Sequence, residues 1–593
     1  MERKKLQLMR HSFTHCLTLV LLMVVTMSLS ACSDDDETFN GTGNGNVEGN
    51  IADYTVIFWG MSGGNDYPAS IDLANLAYCY QQGEIGKNVQ IAGLMKTSLS
   101  KASLDGTVDP SYDKTMYFDS ETIGADFIKA SDFQSLTTKA DLQKLYKKAF
   151  DNMGGKVYGD TLYPLNNTDS LANFIKKAAQ KFPARHYVLM LFGHGNGFSP
   201  QTDTYISRAC VFDGFGQRDA FGYQGGLSAD AVVSAVDKSG VKIQTLFTQC
   251  CLMATLENIA AYSQVFDYGI LSAETTIGLY FPQYLVNLSA AGDDETKMQQ
   301  ASRKLVDYYV DEIAGQFKDL YTSHGFYDLK KSSALLSTAK EATNWFIANY
   351  AVESQQYAIN RALENSLVSQ HIDAENQEAT DSLRLVRLKI QDVLSGKTSI
   401  GNIKVNDDEF ISFISKAFGL TIRFSDVTGF CMADVMRNTV AADLPQEKTI
   451  ALRAIYEKYM AALKDMAYIR TTNKPTNAVS DYEYIYASPT VNIFSLHPDC
   501  FVPFPYGDEL KTLGSQMRQA LREEDPTALF AAMDRLFGGT IYANYSNLDT
   551  VKDNYSSSVF DKQVGWSKFL ELLQQNPSLA YCPDRWQVNQ IMK

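Results

Sequence analysis

The sequence predicts an α/β fold: a mostly parallel β-sheet with helices on both faces, followed by a mainly helical region with some strands. Three observations predict it. Strand-like and helix-like segments alternate from Tyr54 to about Asp293. Some of the strands, such as HYVLMLFG from His186 to Gly193, run on as unbroken apolar stretches, as strands covered on both faces do. After about Asp293 long helical stretches take over. Alternation of the first kind is the pattern of strand–helix–strand crossovers.

In chain order, YTVIFWG from Tyr54 reads as a buried strand, MSGGNDYPAS as a loop and IDLANLAYCYQQG as an amphipathic helix. NVQIAGLM is a second strand. Leu142–Met153 and Ser170–Phe182 carry helical patterning, with Asp169 as the expected cap of the latter. HYVLMLFG follows as a strand, then a helix over Leu227–Val236, the strand KIQTLFT, a helix over Leu252–Gln264 and the strand YGILSAE. Beyond these come helices over Glu295–Leu320, Ser337–Tyr350, Ala351–Leu367, Leu383–Leu394 and Glu447–Met466, and from about Tyr482 a part richer in aromatics, Pro and Asn.

The expected organisation is a signal segment over 1–31, a linker over 32–52, an α/β domain over 53–292 and the mainly helical region over 293–593. The start is basic (Arg3, Lys4, Lys5, Arg10), and the apolar run Leu17–Val25 follows. That is the layout of a secretory signal, too short for a membrane span of about 20 residues. Leu29-Ser30-Ala31-Cys32 resembles a bacterial lipobox, in which Cys32 is lipidated. The acidic Ser33-Asp34-Asp35-Asp36 resembles a surface-export tag of Bacteroidetes-type lipoproteins. GTGNGNVEGN, Gly41–Asn50, would be a flexible tether. The expected location is therefore the outer membrane, lipid-anchored and facing outward, with no membrane contact other than the N-terminal lipid.

The formal net charge is −15, and removing residues 1–31 with their net +3 takes the mature chain near −18 (−15 − 3). A surface of that sign repels nucleic acid, which is excluded as a partner. Of nine cysteines, Cys16 leaves with the signal and Cys32 carries lipid, so an odd seven remain and at least one thiol is unpaired within the chain. No CxxC occurs, which argues against a zinc site. No EF-hand-like acidic loop is present either, and no obligate cofactor is expected.

In an open α/β sheet, sites form beyond the carboxyl ends of the strands. Two ends carry chemistry. VLMLFGHGNGF runs into His194 flanked by glycines, and KIQTLFTQCCLMATLE runs into Cys250-Cys251 before the expected helix. A cysteine after a buried strand is ordinarily a small apolar filler. A thiol at a helix start has a lowered pKa, and a nearby imidazole lowers it further and can protonate a leaving amine. Their separation of 57 positions (251 − 194) is no obstacle, since both end strands of one sheet. Backbone N–H groups at Gly195 and Cys251 would serve a tetrahedral oxyanion.

His-Gly and then Cys, each closing a strand, resembles the caspase and haemoglobinase clan of cysteine peptidases, and within it the clostripain family. HGNGF is similar to that family's His-Gly-x-Gly-aromatic motif, and CCLMATLE to its nucleophile motif through Cys251, Leu252, Met253, Ala254 and Glu257. YTVIFWGMSGGNDYPASIDLANL resembles the family's opening strand, loop and helix, and LSAETTIGLYFPQYL its segment after the nucleophile. The resemblance implies a caspase-like sheet and a surface-anchored cysteine endopeptidase acting on protein or peptide substrates. In it Cys251 is the nucleophile, His194 the general acid/base, and Cys250 a small residue in the place of the family's alanine. It departs at Gln249, where the family has an Asp that pairs with Arg or Lys of the substrate; Asp213 or Glu274 is the expected substitute carboxylate. Gln249 with the double cysteine also supports a competing reading: an inactive surface lipoprotein on the same fold that binds peptide or glycan. His186, His324, His371 and His497 read as surface or satisfied core residues. Self-cleavage within Asp105–Thr168 or after Glu274 is a further expectation.

Overall fold

The computed structural model describes residues 51–61, 66–96, 115–123, 165–195, 197–198, 210–212, 226–274, 276, 278, 280–316, 322–356, 358–359, 362, 429–472, 474, 478–492, 512, 515–516, 519–520, 522–523, 525, 528 and 555–575. The signal, Cys32 and the tether lie outside these residues. So do Asp213, His371, His497, the expected helices over 142–153 and 383–394, and most of the one over 351–367.

The described strands are β1 (Ala52–Met61), β2 (Val89–Lys96), β3 (Thr115–Asp119), β4 (Ala184–Phe192), β5 (His194–Gly195), β6 (Cys210–Phe212), β7 (Thr245–Gln249), β8 (Tyr268–Leu271), β9 (Ser323–Asp328), β10 (Gly429–Cys431), β11 (Ala467–Thr471) and β12 (Thr490–Asn492). Eight of them form one sheet in the order β11-β9-β8-β7-β4-β1-β2-β3. The central five, β8, β7, β4, β1 and β2, run parallel. The flanking β3 and β9 are antiparallel to their neighbours, and β11 is antiparallel to β9. The mostly parallel α/β sheet expected from the sequence is present. Two of its strands, β9 and β11, come from beyond residue 292.

Period-two alternation splits the sheet's side chains between two cores. On β1, Ile57 and Trp59 enter one core while Val56 and Phe58 enter the other. Helices Thr168–Lys181, Ala229–Ser239 and Leu256–Tyr262 supply the first core, and Asp66–Gln81, Phe281–Ala291 and Glu295–Tyr308 the second. Later helices thicken the first core. Ser332–Tyr350 packs against Gln446–Met466, and Phe569 of Trp566–Gln575 meets Phe346 and Tyr350 at 5.3 and 5.7 Å between ring centroids.

Three expectations are corrected in detail. The helix over Thr168–Lys181 is capped by Asn167, whose side chain accepts from Ser170 N–H, and Asp169 instead pairs with Lys238 at 2.8 Å. The helix expected from Glu295 ends at Tyr308 and continues as a π-turn over Tyr309–Ile313 and a 3₁₀ turn over Ala314–Gln316. The helix expected over Leu252–Gln264 starts only at Leu256, where Thr255 caps it by accepting from Asn258 N–H.

Candidate active site

The site is assembled by strand register. β4 and β7 are parallel neighbours with Phe192 paired to Gln249, and Gly193 N–H donates to Gln249 O at 3.5 Å. Both chains leave the same edge of the sheet. His194 and Cys251 each lie two residues past that pair. After β4 the chain turns sharply at Gly193, whose φ of 146° an L side chain would resist. β5 then pairs with β6, His194 opposite Phe212 and Gly195 opposite Cys210. Gly195 lies directly against the cysteine segment. A methyl group on it would sit 2.2 Å from Cys251 O and 2.8 Å from Cys251 N and Cys250 Cβ. Only glycine permits that approach, so the histidine loop and the cysteine turn touch through backbone.

The two cysteines have different surroundings. Cys250 is fully buried and belongs to the first core, its thiol directed at Leu191 O at 3.6 Å. Cys251 is half-buried, whereas Cys79, Cys250 and Cys431 are buried. Burial pushes the Cys431 thiol up to about 11 and raises Cys79 as well, so both stay protonated and inert at neutral pH. Cys251 Sγ receives the Thr276 backbone N–H at 3.2 Å, and as a thiol it faces Thr276 O at 3.6 Å. A backbone donor on sulfur favours the thiolate.

Because the helix begins at Leu256, Cys251 stands in the turn before it and outside its first turn. The expected contribution of the helix dipole, confined to the terminal turn, is correspondingly weakened. The turn itself is held elsewhere. Leu252 N–H donates to Glu274 O at 3.0 Å and Ala254 N–H to Ser272 O at 2.7 Å, both on the chain leaving β8. Leu252 adopts φ 61°, the only positive φ of a non-glycine residue among the described residues. Such strain costs of order 1–3 kcal/mol and survives only where neighbouring bonds over-determine it.

Gln249 is 3 % exposed and points into the second core, where its Nε2 donates to Asp72 Oδ2 at 3.1 Å. Its Oε1 has no hydrogen-bond partner among the described residues. The carboxylate beneath Gln249 is therefore that of Asp72, from helix Asp66–Gln81, and not the expected Glu274, which meets the cysteine turn through its backbone carbonyl. Asp72 was legible in one respect: it lies on the face of Leu76 and Cys79, a charge on a buried stripe. Tyr280 closes this floor. Burial first, then Tyr309, Cys250, Asp72 and Cys251, push its phenol well above the usual range. Thr276 carried no readable signal, because its contribution is a backbone N–H.

The sequence compares with known proteins as follows. The model of the clostripain family matches residues 133–572, which include both motifs. No curated protein matches the chain. Among solved structures, the chain is similar to a secreted cysteine protease from Bacteroides thetaiotaomicron, "iotapain", at 13 % identity and TM-score 0.36, covering 75 % of this chain and 92 % of that one. A secreted cysteine protease from the same organism, in complex with an irreversible peptide inhibitor, gives 14 % identity and TM-score 0.32 over 50 % of this chain and 70 % of that one. An inactive zymogen protease from Parabacteroides distasonis gives 15 % identity and TM-score 0.37 over 76 % and 92 %.

Proposed function

Since the chain belongs to the clostripain family of cysteine peptidases, we propose that it is an endopeptidase working through a Cys251–His194 dyad. The observation that carries this reading is the backbone contact of Gly195 with Cys250 and Cys251, which joins the two motifs at one sheet edge. The Cys251 thiolate attacks the scissile carbonyl carbon and forms the C–S bond. The negative charge moves to the carbonyl oxygen, which the N–H groups of Gly195 and Cys251 receive. The tetrahedral intermediate collapses, the C–N bond breaks, and the imidazolium of His194 gives its proton to the leaving amine. Water, deprotonated by His194, then attacks the thioester, releasing the carboxylic acid and restoring the thiol.

Gln249 shapes recognition of the side chain preceding the scissile bond. Its Nε2 is committed to Asp72, and its Oε1, buried without a hydrogen-bond partner among the described residues, is the acceptor open to a substrate side chain that inserts into this floor. An acceptor backed by a carboxylate favours donor-bearing side chains and disfavours acidic ones. Lipidation at Cys32 would hold the enzyme on the outer face of the outer membrane, with the stretch over 33–52 as a spacer.

The test is replacement of Cys251 by Ala, assayed on a mixed peptide library. Hydrolysis that disappears supports the reading. Hydrolysis that survives removes it and leaves the competing one, a tethered lipoprotein that binds peptide or glycan.

A further inference from the structure

Tyr555 lies 298 positions beyond Glu257, yet its hydroxyl donates to Glu257 Oε1 at 2.8 Å in a buried bond. The same ring meets Phe198 edge to face, 5.9 Å between centroids. Phe198 is four residues past His194, and Glu257 is six past Cys251. One fully buried side chain from the far end of the sequence thus touches both segments that carry the dyad. Burial, with the Glu257 carboxylate next, holds the phenol well above its usual range, so the hydroxyl remains a donor.

The ring is itself held from behind. Ser558 caps helix Val559–Val564 by accepting from Asp561 N–H, and that helix packs against both Leu256–Tyr262 and Ser332–Tyr350. An edge-to-face ring contact and a hydrogen bond to a carboxylate are both directional. A plain apolar plug would fill the same volume while letting the two segments slide.

We propose that Tyr555 is a positioning residue: it clamps the histidine loop to the helix that follows the nucleophile, so the C-terminal helices form part of the catalytic machinery. This rests on the peptidase reading above.

Tyr555→Phe keeps the ring against Phe198 and removes the donor, whereas Tyr555→Ala removes both. Hydrolysis is measured on the full chain per folded molecule, the folded fraction being read from near-ultraviolet circular dichroism. The pH profile of Cys251 alkylation by iodoacetamide, read by peptide mass, is recorded alongside. Small misplacements of reacting groups cost up to about a hundredfold. Tyr555→Phe is expected to lower kcat about tenfold with KM within about twofold, and to shift the Cys251 profile toward that of a free thiol. Tyr555→Ala falls further. Adding Glu257→Gln to Tyr555→Phe removes the buried charge that lost this donor, so the melting temperature recovers while kcat stays low. A merely structural role would restore both. Should Tyr555→Phe fail to fold, Phe198→Leu reads the other half of the clamp with the same expected losses. Wild-type turnover and alkylation in the variant that folds overturn this inference alone. Hydrolysis that survives Cys251→Ala overturns the peptidase reading and this inference with it.

Discussion

Phe192 on β4 is the register partner of Gln249 on β7. That pairing alone sets the histidine and cysteine motifs level with each other, since parallel neighbours deliver equal offsets to the same edge. The contact that follows is closer than side chains allow, and Gly195 is where it happens.

Gly195→Ala is therefore the most damaging small substitution the site offers. Its methyl would meet Cys251 O at 2.2 Å, and two backbone segments would have to part. Overpacking of this kind costs typically about 1–3 kcal/mol. Hydrolysis is expected to fall at least about a hundredfold, because the displaced backbone carries the proposed nucleophile and the proposed oxyanion donors. Thermal melting and kcat/KM together check it: a modest fall in Tm with lost activity is the expected outcome.

Much of this was readable in the sequence, for a physical reason. The central strands are buried on both faces, so they appear as unbroken apolar runs, and the two motifs begin where those runs stop. What escaped reading depends on contacts between distant segments. Leu252, Met253 and Ala254 favour helix locally, but the chain leaving β8 takes the N–H groups of Leu252 and Ala254, and the helix waits for Thr255 to cap it. Asn167 and Asp169 are both good caps, and only the observed bond to Ser170 N–H chooses between them. The strands β9 and β11 pair antiparallel from segments far apart, so what makes them strands is a partner distant in the chain.

Cys250 and Cys251 should respond oppositely to the same substitution. Cys250→Ala trims a buried side chain and is expected to cost about 1 kcal/mol of stability while leaving kcat within a few-fold. Cys251→Ala should leave stability nearly unchanged and abolish turnover. Denaturant melts and peptide hydrolysis on the two variants check the pair.

Asp72 orients Gln249, so its removal should change preference more than rate. Asn at position 72 can either donate or accept, and the Gln249 amide would no longer be fixed with Nε2 as the donor to position 72. For substrates with Lys or Arg before the scissile bond, Asp72→Asn is expected to lower kcat/KM about tenfold, ~1.4 kcal/mol. For Ala at that position kcat/KM should be nearly unchanged. Equal losses for both substrates would remove Gln249 and Asp72 from the recognition account.

His324 gives the fold an acid limit. It is a core residue as expected, but only partly satisfied: Tyr280 OH meets its Nε2 at 3.5 Å, and its Nδ1 has no hydrogen-bond partner among the described residues. Burial lowers its pKa to about 3. An unfolded histidine titrates near 6.5, so between about pH 6.5 and pH 3 the unfolded chain binds a proton that the folded one refuses. This contribution to stability is complete above about pH 6.5 and declines by ~1.4 kcal/mol per unit as pH falls through that window. His324→Phe, which suits the surrounding Phe247, Tyr280 and Tyr309 rings, should flatten the dependence of Tm on pH there.

The central claim is that the sulfur of Cys251 is ionised by its partnership with His194. The most direct measurement is the rate of Cys251 alkylation by iodoacetamide against pH, in the wild type and in His194→Ala. A free thiol titrates near 8.5, and paired active-site thiols lie at about 3.5–7.5. The account predicts a wild-type midpoint within that lower range and a return toward about 8.5 when the imidazole is removed. Superimposable profiles in the two proteins, both near the free-thiol value, would contradict it.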